Sequence, residues 1–157
     1  PVVAAPNILA DKAGVTHRRN EEGIDNFELK LKSGKALQVS IVPAIHGKVM
    51  NNVYVVTTPD KYTVCHTGDM SGKSNFKWIP TINEKVAKID ALLVNCWTGA
   101  IAKAIPGFDP RYVITGHENE MGHTIDHREA YWLSFTKLAN VDYKYVVMAW
   151  GEWFSLK

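Results

Sequence analysis

Half of the chain's six histidines, His117, His123 and His127, fall within eleven positions, with Glu118, Glu120 and Asp126 among them. A β-branched, apolar run, Tyr112 to Thr115, precedes them and stops at Gly116. In an α/β sheet, the loop beyond the carboxyl end of a strand is where ligands bind. Imidazoles and carboxylates are the side chains that hold metals or move protons. Two further residues of this kind follow strand-like runs: His46 after 36–42 and Asp69 after 61–66. Three strand ends therefore offer imidazole, carboxylate and imidazole, a set that suits zinc and also iron or manganese. A divalent ion held there would lower the pKa of its water toward about 7. Each residue also has a plainer reading. A single His past a strand caps or decorates a surface, and an Asp after Gly68 serves as a turn carboxylate.

The rest of the chain must position these groups. Residues 27–32 alternate strictly and read as a half-exposed strand. Ser33-Gly34-Lys35 marks a turn, and 36–42 returns as the partner strand of a hairpin. Pro43 donates no ladder hydrogen bond, so pairing is expected to weaken there and leave His46 in a loop. Residues 52–58 and 61–66 flank Pro59-Asp60 as a second hairpin, which runs into Thr67-Gly68-Asp69. Residues 70–80 read as polar loop, 81–88 as a short helix and 89–94 as an apolar strand. A connector over 106–110 leads to the strand 111–115. From Asp126 a helical stripe runs through Ala130, Tyr131, Ser134, Phe135 and Leu138, with Asp126 and Glu129 resembling a capping box. Asn7 to Ala13 fits a short helix, and Tyr143 to Trp150 a last strand. Two hairpins followed by β-α-β-α-β predict an α/β fold, a mixed sheet with helices on one face.

The 157 residues amount to a single domain over 1–157, long enough for a sizeable core. With a net charge of +2 and scattered basic residues, nucleic acid is not expected as a partner. No apolar run reaches the roughly 18–20 residues of a membrane span. The opening Pro1 to Pro6 lacks the regions of a signal peptide, so a cytoplasmic location is expected. The first residue is not Met, and the chain reads as a processed product or a fragment. Cys65 and Cys96 form no Cys-x-x-Cys pair; they read as free buried thiols, with a cystine or a metal thiolate as alternatives.

Four stretches taken together resemble a family. They are Ile41-Val42-Pro43-Ala44-Ile45-His46, Asn52 to Val56, Tyr62-Thr63-Val64-Cys65-His66-Thr67-Gly68-Asp69, and Tyr112 to His117. They look like the second half of a metallo-β-lactamase-superfamily hydrolase, from about residue 36 onward. Thr67-Gly68-Asp69 is the most specific piece. The resemblance implies half of a four-layer αββα sandwich with metals at one edge. It implies a two-metal zinc site, in which His46 ligates one metal, Asp69 bridges and His117 ligates the second. It also implies hydrolysis of a phosphodiester, lactone or related ester, a small-molecule substrate. The family's His-x-His-x-Asp-His signature is absent, since no His precedes His17. The missing ligands would belong to an amino-terminal half or to another chain, and three ligands split over two positions would hold metal weakly.

The remaining candidates lie around this set. His123 and Glu118 are assigned to substrate binding, and His123 to leaving-group assistance, with solvated surface as the alternative for both. Glu118 and Glu120 also read as acceptors that hold a histidine tautomer, with solvated carboxylates as the alternative. His66 is expected to point away from Asp69 as a core or hydrogen-bonded residue. Trp97, Trp150 and Trp153 are expected to pack. A rival reading is a catalytically silent module that pairs with another chain or with itself, because strand faces lacking an opposite layer seek cover.

Overall fold

The computed structural model describes the backbone of residues 4–6 and 17–19, and residues 23–96, 98, 100–116, 136–148 and 151–156 in full. Two short strands, β1 (Ala4–Pro6) and β2 (His17–Arg19), pair in parallel. The remaining strands form one seven-stranded sheet in chain order. They are β3 (Asp25–Lys30), β4 (Ala36–His46), β5 (Val49–Thr57), β6 (Thr63–His66), β7 (Ala91–Asn95), β8 (Tyr112–Gly116) and β9 (Tyr145–Val146). β3 to β6 pair antiparallel as a meander, and β6 to β9 pair in parallel. The fold is thus a mixed α/β sheet, as the patterning predicts.

The sheet's register explains its core. Val55, Cys65, Leu92 and Val113 lie in one cross-strand row. All four are buried, and with Val42, Ala44, Val53 and Val94 they form one cluster. Ile79, Ile82, Ile101, Ala104, Ile105 and Phe108 complete it from the layer packed on that face. Cys65 and Cys96 are both free and buried. Complete burial pushes the Cys65 thiol up, which keeps it neutral and unreactive.

Three segments depart from the sequence expectation. β4 does not weaken at Pro43. It pairs with β5 through His46, so His46 is the last residue of a strand rather than part of a loop. β3's last partner on β4 is Ile41, so Pro43 lies past the end of β3 and its missing N–H breaks no β3–β4 ladder bond. The expected connector at 106–110 is instead the end of a helix, α1 (Ile101–Phe108), which includes Pro106. Its buried stripe is Ile101, Ala104, Ile105 and Phe108, the spacing of one helix face. Gly107 marks close packing, not a turn, because a Cβ there would run into the Ile79 side chain. The helix expected at 81–88 is a 3₁₀ segment, Ile79–Glu84, preceded by another at Lys73–Lys77. Among the described residues, no helix is long and apolar enough to cross a membrane.

Candidate metal centre at the sheet edge

Topology brings the expected strand ends to one edge. β4 and β6 each pair antiparallel with β5, so they run in the same direction, and β7 and β8 run parallel to β6. The carboxyl ends of β4, β6, β7 and β8 therefore share an edge. His46 closes β4, Asp69 follows β6, Asn95 closes β7 and Gly116 closes β8.

His46 sits at a two-residue hairpin whose first loop residue, Gly47, has φ +58°. A hairpin of the II′ kind requires that positive φ. The His46 backbone is held from behind by a buried amide. Asn75, 2% exposed, accepts from the Ile45 N–H at 2.9 Å and donates to the Ile45 carbonyl at 2.9 Å and to Gly72 O at 2.8 Å. It pairs with Ile45 as a further strand would, on the side of β4 where β3 has ended. Nothing in the sequence signals this role for Asn75, because it lies in a run that reads as polar loop.

Asp69 is placed by the turn that begins at Thr67. Thr67 is fully buried; its N–H donates to Leu93 O and its hydroxyl receives the Asn95 N–H at 3.2 Å. Gly68 adopts φ +55°, and a Cβ there would stand 2.7 Å from Asn51 Oδ1 and 3.1 Å from Asn52 O. The same Asn51 Oδ1 receives the Asp69 N–H at 3.2 Å, while Asn51 Nδ2 donates to Thr67 O at 2.8 Å. Beyond the turn, the Thr98 hydroxyl holds Met70 O at 2.8 Å. The Thr67-Gly68-Asp69 run thus has a physical meaning at each position: an anchor to β7, a left-handed corner that excludes a side chain, and a presented carboxylate. Asn95 donates to that carboxylate, Nδ2 to Oδ1 at 2.9 Å.

Of the expected set, the His46 ring touches the backbone of Asp69. His46 Nδ1 lies 2.6 Å from the carbonyl oxygen of Asp69 and 3.1 Å from the Ser71 hydroxyl. A carbonyl only accepts, so Nδ1 carries the proton and Nε2 carries the lone pair. Metal-binding histidines use this arrangement, with one ring nitrogen donating to a backbone carbonyl and the other left basic. The Asp69 carboxylate, oriented by Asn95, has the hard oxygen character of a second ligand. On these two side chains the donor set fits a divalent metal. Among the described residues, no group of three or more His, Cys, Asp or Glu gathers closely enough to hold a metal ion. His117, His123, Glu118, Glu120, His127 and Trp97 lie outside the described residues, as does Trp150. Trp153 does not pack as expected; it is 84% exposed.

A cleft of about 460 Å³ opens beside this edge, lined by Asn51, His66, Asp69, Leu93, Asn95 and Ile114 among others. That volume falls in the range of roughly 300–1,000 Å³ typical of small-molecule sites. His66 is exposed and lines the cleft with Asp69, so it is not a core residue turned away from the site. Its hydrogen bond is to the backbone: the Gly68 N–H donates to His66 Nδ1 at 2.9 Å.

No family model matches the sequence. No curated protein matches it either. Solved structures do match its fold. Igni18, a novel metallo hydrolase from the hyperthermophilic archaeon Ignicoccus hospitalis KIN4/I, is 20% identical with a TM-score of 0.57, covering 92% of this chain and 62% of its own. An isothiocyanate hydrolase from Delia radicum gut bacteria is 15% identical with a TM-score of 0.58, over 92% of this chain and 62% of its own. A possible metal-dependent hydrolase from Veillonella parvula DSM 2008 is 14% identical with a TM-score of 0.59, over 96% and 66%. The chain spans less than two thirds of the length of each of these structures. The seven-stranded mixed sheet, with His46 and Asp69 at one edge, thus shares its fold with these solved structures.

Proposed function

We propose that this chain carries the catalytic edge of a metal-dependent hydrolase. Zinc is the first choice of metal, iron or manganese the alternatives, and the substrate is a phosphodiester, lactone or related ester. His46 holds metal through Nε2 and Asp69 through its carboxylate, and His117 supplies the next ligand. His123 and Glu118 are assigned to the substrate. The ion would supply Lewis acidity toward a carbonyl or phosphoryl oxygen. This chain's own residues prepare the site: the Asp69 carbonyl fixes the His46 tautomer, Asn95 orients the Asp69 carboxylate, and Asn75 holds the strand behind His46. The observation that carries the reading is the hydrogen bond from His46 Nδ1 to Asp69 O, which couples the two ligands and leaves Nε2 basic. Further ligands belong to an amino-terminal half or to another chain, so metal binding by these 157 residues alone is expected to be weak. Calorimetric titration with zinc tests this. His46→Ala and Asp69→Ala should each weaken binding at least about tenfold. Unchanged affinity in both variants would refute the assignment, and two tightly held zinc ions per wild-type chain would refute the half-site.

One observation favours a second reading, a binding module that pairs with another chain. On the sheet face opposite the core, Val56, Val64, Tyr54, Leu93, Tyr112 and Ile114 lie in two adjacent cross-strand rows and are only half-buried. An apolar surface of this extent favours a covering layer. In light scattering, such an apolar assembly should exceed the 17.5 kDa monomer mass equally with and without EDTA. A monomer under both conditions counts against the module, and dissociation by EDTA assigns the contact to a bridging metal.

A further inference from the structure

β3 has β4 on one side and, among the described strands, no neighbour on the other. The hairpin fixes which of its backbone groups face that open side. The Leu31 N–H donates to Lys35 O at 2.8 Å, and bonded pairs alternate along an antiparallel ladder. Asp25, Phe27 and Leu29 therefore bond to β4, whereas Asn26, Glu28 and Lys30 turn their N–H and C=O groups outward. All three of these outward residues are exposed.

An open row of this kind is a template for another strand, and charged side chains along it restrict what can pair. Here the charges admit one register of self-pairing. A twofold axis normal to the sheet sets two β3 strands antiparallel and keeps each face on its own side. Centred on Glu28, the pairing would face carboxylate with carboxylate. Centred on Lys30, it would face ammonium with ammonium. Centred on Phe27, it would set Glu28 against Asn26 and Lys30 against Ile24, with no ion pair. Centred on Leu29, it sets Glu28 of each copy against Lys30 of the other, so opposite charges meet twice. The same register sets Leu29 against Leu29 and Phe27 against Leu31, which is 37% exposed.

We propose that the outer edge of β3 is a self-association surface, which pairs antiparallel with β3 of a second copy about Leu29. The contact lies in the plane of the sheet and leaves both faces to the layers that pack on them. It is independent of the metal assignment.

Amide exchange and sedimentation of the full chain, each over a range of concentrations, test the edge. The N–H groups of Glu28 and Lys30 should exchange fast when dilute and slowly when concentrated. The Leu29 N–H, already bonded to β4, should be slow throughout. Glu28→Lys and Lys30→Glu should each weaken dimerisation about tenfold, because each turns two attractive pairs repulsive. The double exchange of Glu28→Lys with Lys30→Glu should restore affinity to within about threefold of the wild type. Both side chains are exposed, so all three variants should fold. A wild type that stays monomeric at millimolar concentration would overturn the proposal. So would an assembled sample whose Glu28 and Lys30 amides still exchange fast, or a double variant that associates no better than the single ones. Association undiminished by Glu28→Lys would overturn it as well, and would assign the contact to the sheet face opposite the core.

Discussion

Replacing Gly68 by alanine should destabilise the protein by about 3 kcal/mol and disable the metal edge in the same step. Two costs add. A left-handed backbone charges a residue with a Cβ roughly 1–2 kcal/mol. The new methyl would also stand 2.7 Å from Asn51 Oδ1 and 3.1 Å from the Asn52 carbonyl oxygen, an overpacking term of about 1–3 kcal/mol. Asn51 cannot yield freely, because its amide already holds Thr67 O and the Asp69 N–H. Gly34→Ala is the control. Gly34 has φ +81° with nothing within 4 Å of the added Cβ, so it should cost the conformational term alone. Thermal denaturation should show a drop of about 6–12 °C for Gly68→Ala, at about 2–4 °C per kcal/mol for a chain of this size. Zinc titration should show binding weakened beyond that of Gly34→Ala. Equal losses for the two variants would remove the steric argument and with it the turn's part in placing Asp69.

Asn75→Ala should cost about 2 kcal/mol, or about 4–8 °C, although its side chain touches no substrate. The size of the effect follows from counting which groups would be left unpaired. The Ile45 carbonyl keeps the N–H groups of Ser71 and Gly72, and Gly72 O keeps the Asn75 N–H. The Ile45 N–H loses the Asn75 Oδ1 that receives it, and a buried unpaired N–H costs about 1–3 kcal/mol. Exchange of the Ile45 amide hydrogen should accelerate more than that of Val55, which lies inside the meander. His46 is the next residue, so zinc affinity should fall in parallel. Stability unchanged within about 0.5 kcal/mol would mean that the amide is dispensable and that β4 holds His46 without it.

The strands were legible because their signal is local. Alternation in 27–32, the apolar run at 89–94 and the β-branched runs near 53–56 and 112–115 report the pleat and its burial directly, although the first strand lies two residues earlier, at Asp25–Lys30. The Thr67-Gly68-Asp69 stretch was legible as a candidate because few residue combinations make a left-handed corner followed by a carboxylate. What escaped the sequence depends on distant partners. Pro43 and Pro106 both read as breaks. Pro43 is tolerated because β3 has ended beside it, and Gly107 belongs to a helix because Ile79 leaves no room for a side chain. Asn75 reads as loop because its partner, Ile45, is thirty residues away. The pleat alone turned His66 away from Asp69, yet the Gly68 corner brings both to one cleft. Which ring nitrogen carries the proton on His46 or His66 is set by a backbone group that no periodicity reveals.

The change of pairing within the sheet has a kinetic consequence. β3 to β6 join through short turns, whereas β6 to β7 and β7 to β8 need crossovers. Closing a long loop costs entropy before any pairing returns it, so the hairpin region condenses first and the crossovers dock later. Thr67 and Asp69 sit on that seam, and their partners on β7 arrive only with the slower event. A nascent chain would therefore form the strand that carries His46 early, and would acquire an oriented Asp69 only near the end of folding.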